Sequence, residues 1–155
     1  MPTQLKPGDV EKAIIAALKA NGAISASGAQ VQGLSSKNWD EQGNIIVLPP
    51  AVLVLLEVGT DQEANDTTRL TYESEYEFSL FCGSADLSSV DNERNSAYAL
   101  LANVRAAMAG QRLQIDAGAA LTFPVKLAGF RPEQFDANGA WCSQQIRVGQ
   151  LAQYG

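Results

Sequence analysis

The first periodic segment of the chain predicts an amphipathic helix. Within residues 9–22, apolar side chains recur at helical spacing and form one stripe, made of Val10, Ile14, Ala17 and Leu18. Asp9 is the predicted N-cap, because its carboxylate can accept N–H groups of the first turn, and Asn21-Gly22 predicts a left-handed stop. Residues 23–43 hold few large apolar side chains and predict irregular structure, with a short strand at residues 29–34.

Two long strands are predicted in the middle of the chain. Residues 51–58 follow Pro49-Pro50 and are apolar on both faces, so they need a helix on one side and a further layer, such as another subunit, on the other. Residues 70–81 alternate sharply, with aromatic and aliphatic side chains on one face and polar ones on the other, among them Glu73, Glu75 and Glu77. The polar segment 59–68 between them is predicted as a long loop, and loops of that length usually carry a function or are mobile.

The C-terminal half predicts a second helix followed by a β-hairpin. The helix begins at about Ser89 or Asp91, runs to Ala109 and is closed by Gly110. Its inward stripe is made of Ala97, Leu100, Leu101, Val104 and Met108. Its alanine-rich face, with Ala99, Ala102, Ala106 and Ala107, allows the close approach of a sheet or another helix. Residues 121–130 and 139–151 predict strands, joined by a turn at residues 136–139 because Asn-Gly tolerates positive φ.

This order of elements predicts an α+β fold. We expect a mixed, mainly antiparallel sheet of about four to five strands packed against two helices. The chain has 155 residues, 46% hydrophobic and 18% charged, which fits one globular domain covering residues 1–155.

Charge and composition make several classes of function less plausible for this chain. Eleven Lys and Arg against 17 Asp and Glu give a formal net charge of −6, which disfavours a basic nucleic-acid footprint. The chain contains no histidine, the commonest general base and a usual zinc ligand. We therefore expect no enzyme, no metal site and no cofactor. The N-terminus lacks a signal-peptide pattern, and the longest apolar stretch, residues 45–56, is interrupted by two prolines and too short to span a bilayer, so we expect a soluble cytoplasmic protein with no membrane partner.

The acidic groups leave three interpretations open. Glu73, Glu75 and Glu77 repeat at a spacing of roughly 7 Å along one strand face, within the range of paired catalytic carboxylates. A solvated strand face is the favoured interpretation, because a pair on a single strand has no cleft around it, and a surface that repels another polyanion is the third interpretation. Asp61, Glu63 and Asp66 lack the central glycine and distal glutamate of a calcium loop, which favours a solvated loop.

Cysteines and tryptophans complete the candidate chemistry. Cys82 and Cys142 lie in predicted strands, where buried reduced side chains are expected and a disulfide or reactive thiol is the alternative. Trp39 lies in a polar segment and anchors it either on the chain's own core or on a partner. Trp141 is predicted in the core or in an interface.

A likeness to a known family follows from the order of these elements between residues 10 and 151. The segments that carry it are Pro49-Pro50-Ala51-Val52-Leu53-Val54, the long polar hairpin loop, Tyr72-Glu73-Ser74-Glu75-Tyr76-Glu77-Phe78, the helix near Asn92-Glu93-Arg94 and the C-terminal hairpin. Together they resemble the Mu-like phage tail terminator proteins, small neck or tail-completion proteins of contractile-tailed phages and prophages. The resemblance implies a hexameric ring that caps the tail tube, stops its polymerisation and offers a surface for the head-completion protein. It implies no catalytic residues, a virion tail or neck location after synthesis in the host cytoplasm, and a hole through which DNA passes without specific binding.

Three site hypotheses follow from this resemblance. Glu73, Glu75 and Glu77 line the channel or its rim, in a hexamer whose formal charge would be −36. The polar loop contacts the tube or the next subunit through Asp61, Gln62, Glu63, Asn65 and Asp66. Trp39 is an interface anchor. The alternatives are another neck component, such as a head-closure or head-tail joining protein, a carboxylate hydrolase, and a generic cytoplasmic adaptor that is a monomer or dimer.

Overall fold

A computed structural model describes residues 6–35, 38–47, 49–63, 70–84, 90–115, 120–121, 123–136 and 139–154. A five-stranded sheet has the order β1-β2-β3-β7-β6, and β4 pairs with β5 in a small separate sheet. The helices are α1 (Pro7–Ala20), α2 (Gly22–Ala26) and α3 (Val90–Met108). The strands are β1 (Gln30–Gly33), β2 (Ala51–Glu63), β3 (Leu70–Ser84), β4 (Gln114–Ile115), β5 (Ala120–Leu121), β6 (Lys126–Asp136) and β7 (Gly139–Tyr154). Only the β1–β2 pair of the large sheet is parallel, so the predicted α+β class is confirmed.

The first helix begins and ends differently from the prediction. Its N-cap is Lys6, with Pro7 at the first helical position, because the fixed φ of proline suits that position. Asp9 lies in the first turn, where its charge favours the helix dipole, so the predicted cap is wrong. Asn21 has extended backbone angles rather than left-handed ones, and its side-chain oxygen accepts a hydrogen bond from the Ile24 amide at 3.1 Å. Asn21 therefore starts α2, a short helix inside a segment predicted to be irregular.

Helix α3 corresponds to the second of the two predicted helices and follows its prediction closely. It ends just before Gly110, whose φ of 73° is the left-handed conformation expected there. All five residues of the predicted inward stripe are buried. Ala99, Ala102 and Ala106 are exposed, so no element of the described chain covers the alanine-rich face closely. None of the helices in the described ranges is long and apolar enough to cross a membrane.

The central hairpin is longer than predicted. β2 continues through Glu63, which pairs with Tyr72, and one bulge lies between Leu56 and Val58. Residues 59–63 are therefore strand, and the prediction of a loop beginning at Gly59 is wrong. Their polar composition misled the prediction, because an exposed strand needs no buried face and can consist of polar and β-branched residues.

The C-terminal hairpin lies where the Asn-Gly signal placed its turn. Asp136 pairs with Gly139, whose φ is 134°. β6 begins at Lys126 instead of residue 121, and Ala120 and Leu121 pair with β4. The predicted short strand at residues 29–34 is confirmed as β1.

The sheet is covered on both faces near the start of β2. On one face, here called the helix face, Val52 and Val54 pack with α1 and α3 in the main core. On the opposite face, here called the outer face, a second cluster contains Ile45, Ala51, Leu53, Phe81 and Trp141, with Leu34, Trp39, Val47 and Leu55 packed against it. The doubly apolar strand thus obtains its second cover from segment 38–47 of the same chain.

Candidate interaction surfaces

The three glutamates lie on the outer face of the sheet, as the alternation predicts. Tyr76 and Phe78 pack on the helix side, whereas Glu73 is exposed and Glu75 and Glu77 are half-buried. The glutamates therefore form a row along the solvent-facing side of β3. Whether this row lines a channel stays a prediction.

Charges of opposite sign are separated across the sheet. β2 and β3 together contain six acidic residues and no lysine or arginine. β6 and β7 contain three basic residues, Lys126, Arg131 and Arg147, and two acidic ones. Arg147 Nε lies 3.9 Å from Glu75 Oε1, and both side chains are at least 40% exposed, so this pair contributes little to stability. The sheet has an acidic side at β2–β3 and a more basic side at β6–β7.

A chain of hydrogen bonds crosses the outer face from β3 to β6. Gln145 Nε2 donates to Ser79 Oγ at 3.3 Å and to Ser143 Oγ at 2.8 Å. Ser143 Oγ donates to Glu133 Oε1 at 2.6 Å, and Arg131 Nε donates to the same oxygen at 2.6 Å. The hydrogen bond and the charge of Glu133 raise the pKa of Arg131, with smaller contributions from Glu57 and Glu77. Glu133 therefore connects Arg131 and Ser143 in a structural network on the outer face.

The predicted contact loop is divided between a strand and residues outside the described ranges. Asp61, Gln62 and Glu63 belong to β2, and Asp61 and Gln62 are exposed. Ser74 Oγ donates to Asp61 Oδ1 at 2.5 Å, which connects β2 to β3 through side chains. Asn65 and Asp66 lie outside the described residues. The first part of the proposed contact surface is thus a strand edge and not a flexible loop.

Trp39 packs on the chain's own sheet. Its ring meets that of Phe81 edge to face at a centroid distance of 6.0 Å and an interplanar angle of 88°. Trp39 also forms an isolated bridge with Ile45, and Asp40 accepts hydrogen bonds from the amides of Gln42 and Asn44. These contacts fold segment 38–47 over the second cluster. Trp39 is half-buried, and its role as an interface anchor stays a prediction.

The cysteines form a directly opposed pair of buried, free thiols. Cys82 on β3 is the register partner of Cys142 on β7. The Cys142 thiol donates weakly to Ala97 O at 3.6 Å and to Cys82 O at 3.8 Å. Burial raises the pKa of Cys82 well above its usual range, with a contribution from Cys142, and burial together with Glu133 raises that of Cys142 to about 12. The predicted burial of both cysteines is confirmed, and neither thiol has the environment of a nucleophile.

These raised pKa values predict a loss of stability at high pH. Below the thiol pKa of the unfolded chain, about 8.5, both states hold the protons and the thiols do not affect the pH dependence. Between that value and the folded pKa, the unfolded chain ionises first, so each thiol lowers the free energy of unfolding by about 1.4 kcal/mol per pH unit. Urea unfolding at pH 7 to 11 measures this slope. The Cys82→Ala, Cys142→Ala double variant, in which other titrating groups remain, should have a shallower slope, and equal slopes would contradict the prediction.

A buried glutamine that the sequence analysis missed connects β7, β6 and α3. Gln144 is fully buried, and its Oε1 accepts a hydrogen bond from Arg105 Nη1 at 2.7 Å. Its Nε2 donates to Gly129 O and to Gln145 O, both at 2.8 Å. The Arg105 guanidinium lies 4.8 Å from the centroid of the Phe130 ring. This network holds Phe130, which is 60% exposed, at the edge of the sheet.

The acidic groups do not converge on an enclosed site. In the described ranges, no group of three or more His, Cys, Asp or Glu residues has the arrangement needed to hold a metal ion. A cavity of about 360 Å³ between β3 and α3 is lined by uncharged residues, among them Ser84 and Asn103. The glutamates of β3 lie on an open face, which disfavours the hydrolase alternative.

Comparisons with known proteins show a shared fold. Neither a protein-family model nor a curated protein matches the sequence. Among solved structures, a chain of "Virion of native gene transfer agent (GTA) particle" is similar, with 18% sequence identity and a TM-score of 0.58. The similarity covers 94% of this chain and 96% of that chain. The likeness therefore extends over the whole domain and establishes the fold.

Proposed function

We propose that this protein is a structural component of a phage or phage-like virion, and specifically a ring-forming tail terminator. The likeness, over nearly the full length of both chains, to a chain of a gene transfer agent virion carries the first part of this proposal, and the tail-terminator role rests on the resemblance in the order of elements. In the proposed role, the ring caps the tail tube, halts its polymerisation and provides the surface to which the head-completion protein binds. The role requires no catalysis and no cofactor.

The surfaces of the fold support a role in assembly. Leu56, Val58 and Phe130 are large apolar side chains that the single chain leaves at least 38% exposed. Exposed apolar side chains beside a strand edge, together with the uncovered alanines of α3, favour contacts with other subunits. Heterologous contacts of one copy with the next generate closed rings when the rotation closes. We propose six copies, with tail tube protein on one side of the ring and head-completion protein on the other.

The row formed by Glu73, Glu75 and Glu77 supports the proposed passage of DNA. Carboxylates on a channel wall provide no counter-charge for phosphates, so the genome is not retained as it moves. In this arrangement, the outer face of the sheet turns toward the channel and the helices turn outward.

Deleting the gene in a producing phage or prophage tests the proposal. Loss of a terminator removes the stop to tube growth, so we expect overlong tail tubes in electron micrographs of lysates, several-fold longer than normal. A plasmid copy of the gene should restore the normal length and serves as the control. Full-length tails beside unjoined heads would instead identify another neck component, and unchanged infectious virions would identify an adaptor outside the virion.

A further inference from the structure

On one side of the sheet, the short strand β1 covers only the start of β2, so the edge of β2 is open over most of its length. β1 pairs only with Ala51–Val54 of β2, and the Leu34 amide extends this pairing to Val54 O at 2.8 Å. Beyond Val54, no strand in the described part of the chain pairs with that side of β2. Residues 56–62 are all exposed, including Leu56 at 38% and Val58 at 46%. Such an edge presents unpaired backbone groups together with apolar side chains, which is a template for another strand.

The other side of the sheet ends in β6, which pairs only with β7 among the described strands. Its first half carries exposed Lys126, Phe130 and Arg131. A first bulge lies between Leu127 and Gly129, and Pro132 with a second bulge, between Pro132 and Gln134, interrupts the edge further along. The part of β6 that can receive another strand is therefore residues 126–131, and this part contains no acidic residue.

The charges of the two edges are complementary. The β2 edge carries Glu57, Asp61 and Glu63 and no basic residue. The β6 segment carries Lys126 and Arg131, and Arg131 is also paired with Glu133 of its own strand. A contact between two β2 edges would place acidic residues against acidic residues, which destabilises cross-strand pairing. A contact between the β2 edge of one copy and the β6 edge of another brings opposite charges together and covers apolar side chains on both faces, Val58 on the outer face and Phe130 on the helix face.

Strand directions allow this contact between copies in the same orientation. Each neighbouring pair in the series β2, β3, β7, β6 is antiparallel, so β6 runs opposite to β2. A second copy placed beside the first in the same orientation thus presents β6 antiparallel to β2. Because β1 occupies the start of β2, the second copy is displaced along the strands toward Glu63.

The register of the sheet sets the size of this displacement. Across the sheet, Val58 pairs with Glu77, Glu77 pairs with Arg147, and Arg147 pairs with Lys126. Val58 and Lys126 therefore lie at the same height along the strand direction. Pairing residues 126–131 with residues 58–63 therefore requires a shift of about five residues, or roughly 17 Å. Stagger of this kind accompanies the closure of a sheet into a barrel.

We propose that copies of this protein join head to tail through their sheets, with the open β2 edge (residues 55–63) of one copy against the β6 edge (residues 126–131) of the next. This inference rests on the proposed ring and specifies its subunit contact. It leaves the part of the outer face that carries Glu73, Glu75 and Glu77 free to face the channel.

Two charge-altered variants test the contact. In the first, Leu56→Lys, Glu57→Lys and Val58→Lys change the formal charge of residues 55–63 from −3 to +1, and in the second, Lys126→Glu and Phe130→Glu change that of residues 126–131 from +2 to −1. Each variant alone places like charges at every contact, so we expect it to stay monomeric, with association at least about tenfold weaker than that of the wild type. An equal mixture should assemble, because the contacts between unlike variants join oppositely charged edges. Analytical ultracentrifugation, alone and with tail tubes, measures the result.

Ala16→Lys with Ala20→Lys adds two charges to the exposed side of α1 and is the matched control, expected to assemble as the wild type does. Thermal unfolding of every variant checks that the fold is retained. Self-association of the second variant alone would indicate contact between β2 edges and overturn the proposal, as would a mixture that stays monomeric where the wild type assembles. A wild-type chain that assembles neither alone nor on tubes would overturn the ring itself.

Discussion

Replacing Gly83 by alanine should lower the free energy of unfolding by at least about 2 kcal/mol, because it overpacks the second cluster. A Cβ atom at position 83 would lie 2.6 to 2.7 Å from three carbons of the Trp141 ring. Gly83 and Trp141 are register partners on β3 and β7, and Trp141 is fully buried, so neither strand can retreat without disturbing the sheet. Urea unfolding monitored by circular dichroism measures the change.

Gly8→Ala is the matched control for this substitution. A Cβ there meets no atom within 4 Å, and the residue lies in the first turn of α1, so alanine should be neutral or stabilise by up to about 1 kcal/mol. If the Trp141 ring is the cause, Gly83→Ala should cost much less in a Trp141→Leu background. An equal cost in both backgrounds would refute the steric explanation.

Reversing Glu73, Glu75 and Glu77 to lysine should reduce the yield of infectious particles at least about tenfold while tail length stays normal. The three substitutions change the formal charge of the chain from −6 to 0 and turn an acidic row into one that binds phosphates. β3 is an interior strand of the sheet, so the edges of the sheet stay unchanged and the ring should still form. Plaque or transduction assays measure delivery, and electron microscopy measures tail length.

Reversal of Asp9 and Glu11 to lysine on α1 changes the formal charge from −6 to −2 and serves as the control for positive charge added elsewhere on the chain. Both residues lie on the helical layer, away from the outer face, so delivery should be unaffected. Unchanged delivery by the triple variant, or an equal loss in the control, would remove the channel hypothesis. Overlong tails in the triple variant would show that these glutamates act in capping and not in passage.

Local periodicity predicted which side of each element faces the core. The alternation around Glu75 and Phe78 put the glutamates and the aromatic residues on opposite faces, and the stripe containing Leu100 and Val104 identified the buried side of α3. The same logic failed for residues 59–63. An exposed strand has no apolar face to reveal it, and its pairing with β3 is visible only in the folded chain. The role of Asn21 was missed because an asparagine signals a helix stop and a helix start equally well.

The long-range contacts of the fold and the open edges of the sheet both depend on strand order. Nothing in the sequence near Gly83 indicates that Trp141, 58 residues later, lies over it, or that Gln144 binds Arg105. The open edges follow from the position of β7 between β3 and β6 and from the shortness of β1.

By itself, the sequence determined the fold class, the faces of the elements, the absence of histidine and the excess of acidic residues, because these depend on composition and on neighbours one or two turns away. Only the tertiary structure decided which strands are adjacent, which side chains meet across them and where the sheet is left unpaired. Pairing between distant segments is chosen by the packing of the whole chain, and local patterns carry little information about it.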